Sequence, residues 1–175
     1  MIDRMPPLDT AAMDESQRKA ADALIRGPRK GVFGPFIPLL RSPELMDRLQ
    51  RVGEYLRFES TLPGRASELA IAITAHHVRN EFEWAMHRPL AIRAGVAEET
   101  MEAIGAGRRP AHLERDDALV HDFVVELLRT HFVGDAAYAA VRERFGERGV
   151  VDLVATVGYF VTVSLVMNVA GTPAK

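Results

Sequence analysis

The chain of 175 residues contains no cysteine. Cysteine sulfur is required for a disulfide, a thiolate nucleophile, a thiolate metal site or an iron–sulfur cluster. This sequence can therefore form none of these four. The sequence also lacks a glycine-rich phosphate loop, a dinucleotide-binding fingerprint and the Gly-x-Ser-x-Gly elbow of serine hydrolases. We therefore expect a protein that works without a nucleotide or any other cofactor.

The sequence also lacks a large net charge of either sign. The 22 basic and 24 acidic residues are interspersed and leave a formal net charge of -2. No basic surface for a phosphate backbone and no polybasic patch for anionic lipid is expected, so nucleic acid and membrane are not predicted partners. The first ten residues lack the basic start and apolar run of a secretory signal, which favours a cytoplasmic location.

The longest apolar stretch, residues 150–170, is interrupted by polar side chains and is therefore interpreted as a buried helix at a core or subunit interface. Elsewhere, clusters of proline and glycine separate segments with helical periodicity. With 47% hydrophobic residues, the chain is predicted to form one all-α domain over 1–175 with about seven or eight helices. The predicted helices are 14–26, 42–58, 65–78, 80–94, 96–104, 116–130, 135–145 and 149–170.

Two local features refine this outline. Ser42-Pro43-Glu44 is a helix start in which the serine oxygen caps free backbone donors and the proline takes the first helical position. The segment 31–38 is predicted to be a loop whose two phenylalanines, Phe33 and Phe36, pack over a neighbouring element. Together with the helix of residues 150–170, this loop is a candidate lid for a site.

Polar residues with acid–base chemistry cluster in the middle of the chain. Glu68 lies near the start of an apolar helix, where low polarity raises the pKa of a carboxyl group and lowers that of a histidine. His76, Asn80, Glu83 and His87 follow at intervals of four, three and four residues. On one continuous helix they would share a face, and Glu83 and His87 remain neighbours if the helix begins at Asn80.

The stretch from Glu68 to Gly95, followed by Val-Ala-Glu-Glu-Thr-Met-Glu-Ala-Ile, resembles the core repeat of the carboxymuconolactone decarboxylase / alkylhydroperoxidase D-like superfamily. The resemblance is strongest over about residues 62–105. In the peroxidase branch this repeat carries a Cys-x-x-Cys pair, with a histidine after three intervening residues and a glutamate twelve residues before the first cysteine. Those positions fall on Asn80, Glu83, His87 and Glu68 here, so the spacing is kept and the sulfur is not.

The resemblance implies an alkylhydroperoxidase D-like helical fold assembled as a homo-oligomer, a trimer or hexamer. It also implies a lyase or proton-transfer enzyme of aromatic compound degradation, acting on a small carboxylated lactone or carbonyl compound, because the thiol chemistry of the other branch is unavailable. The implied acid–base residues are Glu68, His87 and Glu83. The residues predicted to contact substrate are Asn80, His76, Arg79 and Trp84, and Arg65 and Arg79 are candidates to hold a substrate carboxylate.

Each assignment has a structural alternative. Glu68 is also suited to stabilising a helix start, Glu83 to an ion pair with Arg79 or Arg88, and His87 to donating a hydrogen bond to a buried carbonyl. Histidine and carboxylate at helical spacing are ligand types for zinc, manganese or iron, but no His-Glu-x-x-His signature occurs, so no metal is predicted.

The predicted function also has an alternative. The protein could be a non-catalytic small-molecule-binding or scaffold protein that keeps the fold. An enzyme should hold Glu68 and His87 within one water of each other around a cavity, whereas a scaffold should bury them in fixed pairs with no cavity.

The absence of sulfur nucleophiles gives the first testable prediction. The protein should not turn over hydrogen peroxide with dithiothreitol as reductant, because its seven methionines oxidise only stoichiometrically and form no disulfide. Peroxide consumption by metal-free protein is measured against a no-protein control. Sustained consumption, beyond the methionine equivalents, would contradict the prediction.

Overall fold

The computed structural model describes residues 2–174, and within that range the chain forms eight α-helices and no strand. The predicted all-α fold class is therefore confirmed. The helices are α1 Glu15–Arg26, α2 Phe36–Leu39, α3 Pro43–Glu54, α4 Gly64–His77, α5 Glu81–Arg93, α6 Glu98–Gly105, α7 Arg115–Thr130 and α8 Asp135–Ala170. A short 3₁₀ turn, Thr10–Ala12, precedes α1, and a π-helical turn, Tyr55–Glu59, follows α3.

Helix α4 lies at the centre of the fold and packs against α5, α7 and α8. Its residues 69–73 are buried on every side, and they alternate between alanine and larger aliphatic side chains. A helix that is apolar all round must be enclosed by other elements, and the small alanines let the neighbouring helices approach closely. Polar side chains on the central part of α4, such as Ser67 and Thr74, are therefore held inside the protein, whereas His77 at its end is exposed.

The chain breaks between α4 and α5 at Arg79, which adopts the left-handed conformation with φ 54°. Asn80 then begins α5 by accepting a hydrogen bond from the backbone N–H of Glu83 at 2.8 Å. The Asn80 amide also donates to the carbonyl of Ser164 and the side chain of Asn168 on α8, at 3.1 and 2.8 Å. This set of contacts fixes the direction in which α5 leaves α4.

Several helix boundaries differ from those predicted. Pro43 occupies the first turn of α3 as expected, but the Ser42 side chain makes no capping hydrogen bond, so the predicted serine cap is wrong. Part of the predicted loop 31–38 forms the short helix α2. The predicted helices 135–145 and 149–170 agree with the two helical segments of α8, which are separated by a kink at the non-helical residue Gly146, where φ is 72°.

Helix α8 combines a buried face with an exposed apolar one. An 18-residue window has a mean hydropathy of 2.0, enough in length and composition for a membrane span, yet half of that window is buried inside the protein, as in a core helix. Four large aliphatic residues remain on the surface, namely Val151, Val154, Leu165 and Val169. Such a surface is typical of a helix that packs against a further partner.

We predict that this surface of α8 is covered by a second copy of the chain. Light scattering after size-exclusion chromatography should give a mass that is a multiple of 19.4 kDa. Substituting Val151→Asp and Val154→Asp together should lower the mass, because a carboxylate in an apolar interface is costly to bury. The control is Ile25→Asp at an exposed apolar position of α1, which should leave the mass unchanged. A parent protein of monomer mass would contradict the prediction.

Candidate active site

A buried chain of three ionisable groups joins α4 to α5. The Oε2 atom of Glu68 on α4 lies 2.6 Å from Nδ1 of His87 on α5, and Oε2 of Glu83, one turn earlier on α5, lies 3.2 Å from Nε2. The His87 side chain is only 2% exposed, and its ring meets that of Phe160 edge to face at 5.1 Å. The predicted proximity of Glu83 and His87 is confirmed, and Glu68 contacts His87 directly.

The two carboxylates control the protonation state of His87. Burial by itself lowers the pKa of the imidazole, but the hydrogen bonds and negative charges of Glu68 and Glu83 outweigh it, so the pKa of His87 lies above its ordinary value. An imidazolium donates from both ring nitrogens and so satisfies both carboxylates at once. The three groups together then carry one net negative charge.

A cavity of about 310 Å³ opens beside this chain of groups. Glu83 and His87 form part of its wall, whereas Glu68 lies behind His87 and is not in the lining. Most of the remaining wall is apolar and comes from the loop before α2, the π-helical turn, α5 and α8. Its principal members are Phe33, Phe36, Phe58, Phe82, Met86 and Phe160. The two segments predicted to be lids thus both contribute to the wall of the cavity.

Close backbone packing brings the loop over the cavity. Gly34 has φ 56°, and a Cβ there would lie 2.5 Å from the ring of Phe82. Only glycine accepts both this conformation and this contact without strain. The loop that precedes α2 can therefore lie directly on α5.

The structure places the other predicted site residues away from the cavity. Asn80 is occupied as the cap of α5, and Trp84 packs against the main core, where a Cβ on Gly105 would lie 2.9 Å from its ring. His76 lies near the end of α4, before the break at Arg79, and its ring centroid is 5.6 Å from that of Trp84. His76 and Arg79 face a separate surface groove next to α7. The single polar face expected from a continuous helix does not form.

Arg65, one of the two arginines considered for substrate binding, is engaged elsewhere. Arg65 forms a two-pronged ion pair with the buried Asp117, at 2.8 and 2.6 Å, and also contacts Glu114. Arg88 contacts Glu98 rather than Glu83. The alternative in which Glu83 forms an ion pair with Arg88 is therefore not found.

Three polar residues of the cavity were not predicted: Arg29, Arg57 and Tyr159. They come from the loop after α1, the π-helical turn and α8, and so from segments far apart in sequence. No spacing rule connects such positions. The only sequence signal was two arginines in segments rich in phenylalanine, which is too common to indicate a site.

No metal centre is indicated by the geometry. Within residues 2–174, no group of three or more histidine and carboxylate side chains is arranged to hold a metal ion. Both ring nitrogens of His87 face carboxylates at contact distance, so an imidazolium there offers no lone pair. Glu68, His87 and Glu83 form a continuous set of contacts between α4 and α5.

Comparison with known proteins agrees with the resemblance drawn from the sequence. The model of the carboxymuconolactone decarboxylase family matches residues 43–115. The match is wider than the region 62–105, since it begins with α3 and ends at the first residue of α7. It includes Glu68, Glu83 and His87, whereas Arg29 and Tyr159 lie outside it. The search of curated proteins finds no match.

The raised pKa of His87 predicts how stability depends on pH. A raised folded-state pKa contributes stability that is complete below the unfolded-state value of about 6.5 and disappears as the pH rises through the folded-state value. The free energy of unfolding, measured with urea from about pH 6 to about pH 9, should therefore fall for the parent protein. His87→Gln should abolish this part of the pH dependence, and the exposed control His112→Gln should retain it. Equal pH dependence in parent and His87→Gln would contradict the assignment.

Proposed function

We propose that this cysteine-free protein belongs to the carboxymuconolactone decarboxylase family and is a lyase or proton-transfer enzyme for a small carboxylated lactone or carbonyl compound. The observation that carries the proposal is the set of contacts from Glu68 through His87 to Glu83. His87 and Glu83 line a largely apolar cavity of about 310 Å³. Ligand sites of small molecules are typically cavities of roughly this size with few polar groups. The cavity argues against a pure scaffold.

In the proposed mechanism, Glu83 and His87 are the catalytic residues because both line the cavity. Glu68 acts through His87 and is a positioning residue, since it holds Nδ1 and so turns Nε2 toward Glu83. The proton stored on His87 is available to a substrate atom at the wall, directly or through Glu83. A group whose charged form is stabilised in a dry site is suited to general acid–base catalysis near neutral pH.

For a decarboxylation, the bond between the substrate carboxylate and its neighbouring carbon breaks, and carbon dioxide leaves. The electron pair of that bond remains on the carbon, which then takes the proton supplied by the chain of groups. For an isomerisation, the same groups remove a proton from one carbon and return it to another. Both reactions need acid–base groups only, so neither requires a thiol or an external oxidant.

The lining also supports the substrate class. Five phenylalanines face a space of limited volume, which favours a ring or a compact branched skeleton over a long flexible chain. Such skeletons are produced when aromatic compounds are degraded, and a role in that process, in the cytoplasm, is part of the proposal.

The rival function, a small-molecule binder without turnover, is favoured by one observation. Glu68 and His87 touch directly at 2.6 Å, as in the fixed pair expected of a non-catalytic protein. The two functions share the cavity and differ in whether bonds are broken. A variant that removes acid–base capacity and preserves shape separates them.

The test is turnover by Glu83→Gln, in which an amide replaces the carboxylate at nearly equal size. Lactone acids and related carbonyl compounds are screened first with the parent protein. Glu83→Gln should then lose about 10²- to 10⁴-fold in kcat, the usual contribution of a general acid or base. Its melting temperature indicates whether the fold survives, which matters because a buried ion pair loses one charge.

The matched control is Glu81→Gln, an exposed carboxylate two residues earlier on the same helix. Its kcat should stay within about twofold of the parent. Glu68→Gln should lower kcat less than Glu83→Gln and shift the pH profile, as expected for a positioning residue. Turnover by Glu83→Gln within about threefold of the parent, with an unchanged melting temperature, would overturn the mechanism.

A further inference from the structure

The wall of the cavity includes a half-buried positive charge, that of Arg29, which no group within residues 2–174 neutralises at contact distance. The Nε and Nη2 atoms of Arg29 are fully buried, and neither has a hydrogen-bond partner among the described residues. Glu54 and Glu83 act on this charge only through space, and burial is the largest influence on the Arg29 pKa, which it lowers. An unpaired buried guanidinium is costly, so its presence requires a reason.

A second arginine and a phenol share this part of the wall. Nε of Arg57 is also buried without a partner, and the positive charge of Arg57 acts on Arg29 and opposes its ionisation. Two like charges around one cavity disfavour each other unless an anion lies between them. The side chain of Tyr159, on α8, is buried with them, and burial raises the pKa of its hydroxyl group. A neutral phenol is a hydrogen-bond donor.

The packing at Gly53 shows that these groups are held in place. A Cβ at position 53 would overlap the hydroxyl of Tyr159 and lie 2.5 Å from Nη2 of Arg29. Both polar groups therefore converge on the surface of α3 that glycine leaves open. The Arg29 guanidinium is further stacked over the ring of Phe36, with 4.7 Å between its central carbon and the ring centroid. This contact orients the donors of Arg29 without neutralising its charge.

We propose that Arg29, Arg57 and the Tyr159 hydroxyl form an anion-binding subsite that receives the carboxylate of a small apolar acid in this cavity. Guanidinium groups bind carboxylates through paired, charge-assisted hydrogen bonds. The phenylalanines beside them accommodate an apolar skeleton, which an inorganic anion lacks. The inference rests on the proposed function for the identity of the bound acid as substrate, but anion binding itself is independent of turnover.

The test measures binding by isothermal titration calorimetry, with benzoate as the probe and benzamide as its neutral counterpart of the same shape. Benzoate should bind the parent protein at least about tenfold more tightly than benzamide, the effect of one charge-assisted interaction. Arg29→Met, which keeps the apolar stem, should weaken benzoate binding by about tenfold or more. Arg93→Met removes the same charge from an exposed position of α5 and should change the affinity by less than about twofold.

Stability provides a second readout that a merely structural arginine would not give. Because two nitrogen atoms of the half-buried Arg29 side chain lack hydrogen-bond partners, Arg29→Met should raise the melting temperature of the ligand-free protein while benzoate binding is lost. If Arg29→Met fails to fold, Tyr159→Phe takes its place. That variant keeps the ring and removes one donor, and it should bind benzoate severalfold more weakly.

The outcomes separate this inference from the proposed function. Glu83→Gln should still bind benzoate, so loss of turnover with intact binding leaves the anion subsite in place. Equal binding of benzoate and benzamide, or undiminished benzoate binding by Arg29→Met or by its Tyr159→Phe replacement, would overturn the inference. Tighter binding of inorganic phosphate than of benzoate would also overturn it, because the subsite would then serve an inorganic anion rather than an apolar acid.

Discussion

The arrangement of the site depends on the contact of one buried histidine, His87, with two carboxylates. A charged histidine in the protein interior is tolerated only where opposite charges and hydrogen bonds replace the water it has lost. Glu68 supplies one of these from the central helix α4, and Glu83 supplies the other from α5 itself. The contact therefore links two helices, and it requires that α5 leave α4 in one direction only. Asn80, which caps α5 and bonds to α8, sets that direction.

Two groups of opposite charge consequently share one small apolar cavity. The Glu68–His87–Glu83 chain contributes net negative charge, and Arg29 and Arg57 contribute positive charge. The negative charge of Glu83 acts on Arg29 although the two side chains form no ion pair. Their charges therefore produce an electrostatic field within the cavity. Under the proposed function, such a field would orient a polar substrate with its anionic group toward the arginines and its opposite end toward Glu83 and His87. Fixed charges of this kind need no rearrangement during the reaction.

The sequence was informative wherever one helix or one turn decided the outcome. Helical periodicity located the main elements, and the interval of four residues brought Glu83 and His87 into contact because both lie on α5. It failed where tertiary structure decided. His76 belongs to a face that would exist only if the helix continued through Arg79, but that residue takes a left-handed turn. Arg29, Arg57 and Tyr159 meet only after the chain has folded, and no local pattern marks such a meeting.

The sequence contains no cysteine, and the two positions that the resemblance assigns to a thiol pair carry an amide and a carboxylate. The resemblance places the two cysteine positions at Asn80 and Glu83, and these residues have different surroundings in the structure. Asn80 caps α5 and is absent from the cavity wall, whereas Glu83 lies in that wall, 3.2 Å from His87. A carboxylate there cannot exchange electrons with a disulfide, but it can exchange protons with the imidazole. Under the proposed function, a carboxylate at this position serves proton transfer, and that reaction needs a substrate held in the cavity instead of a thiol partner.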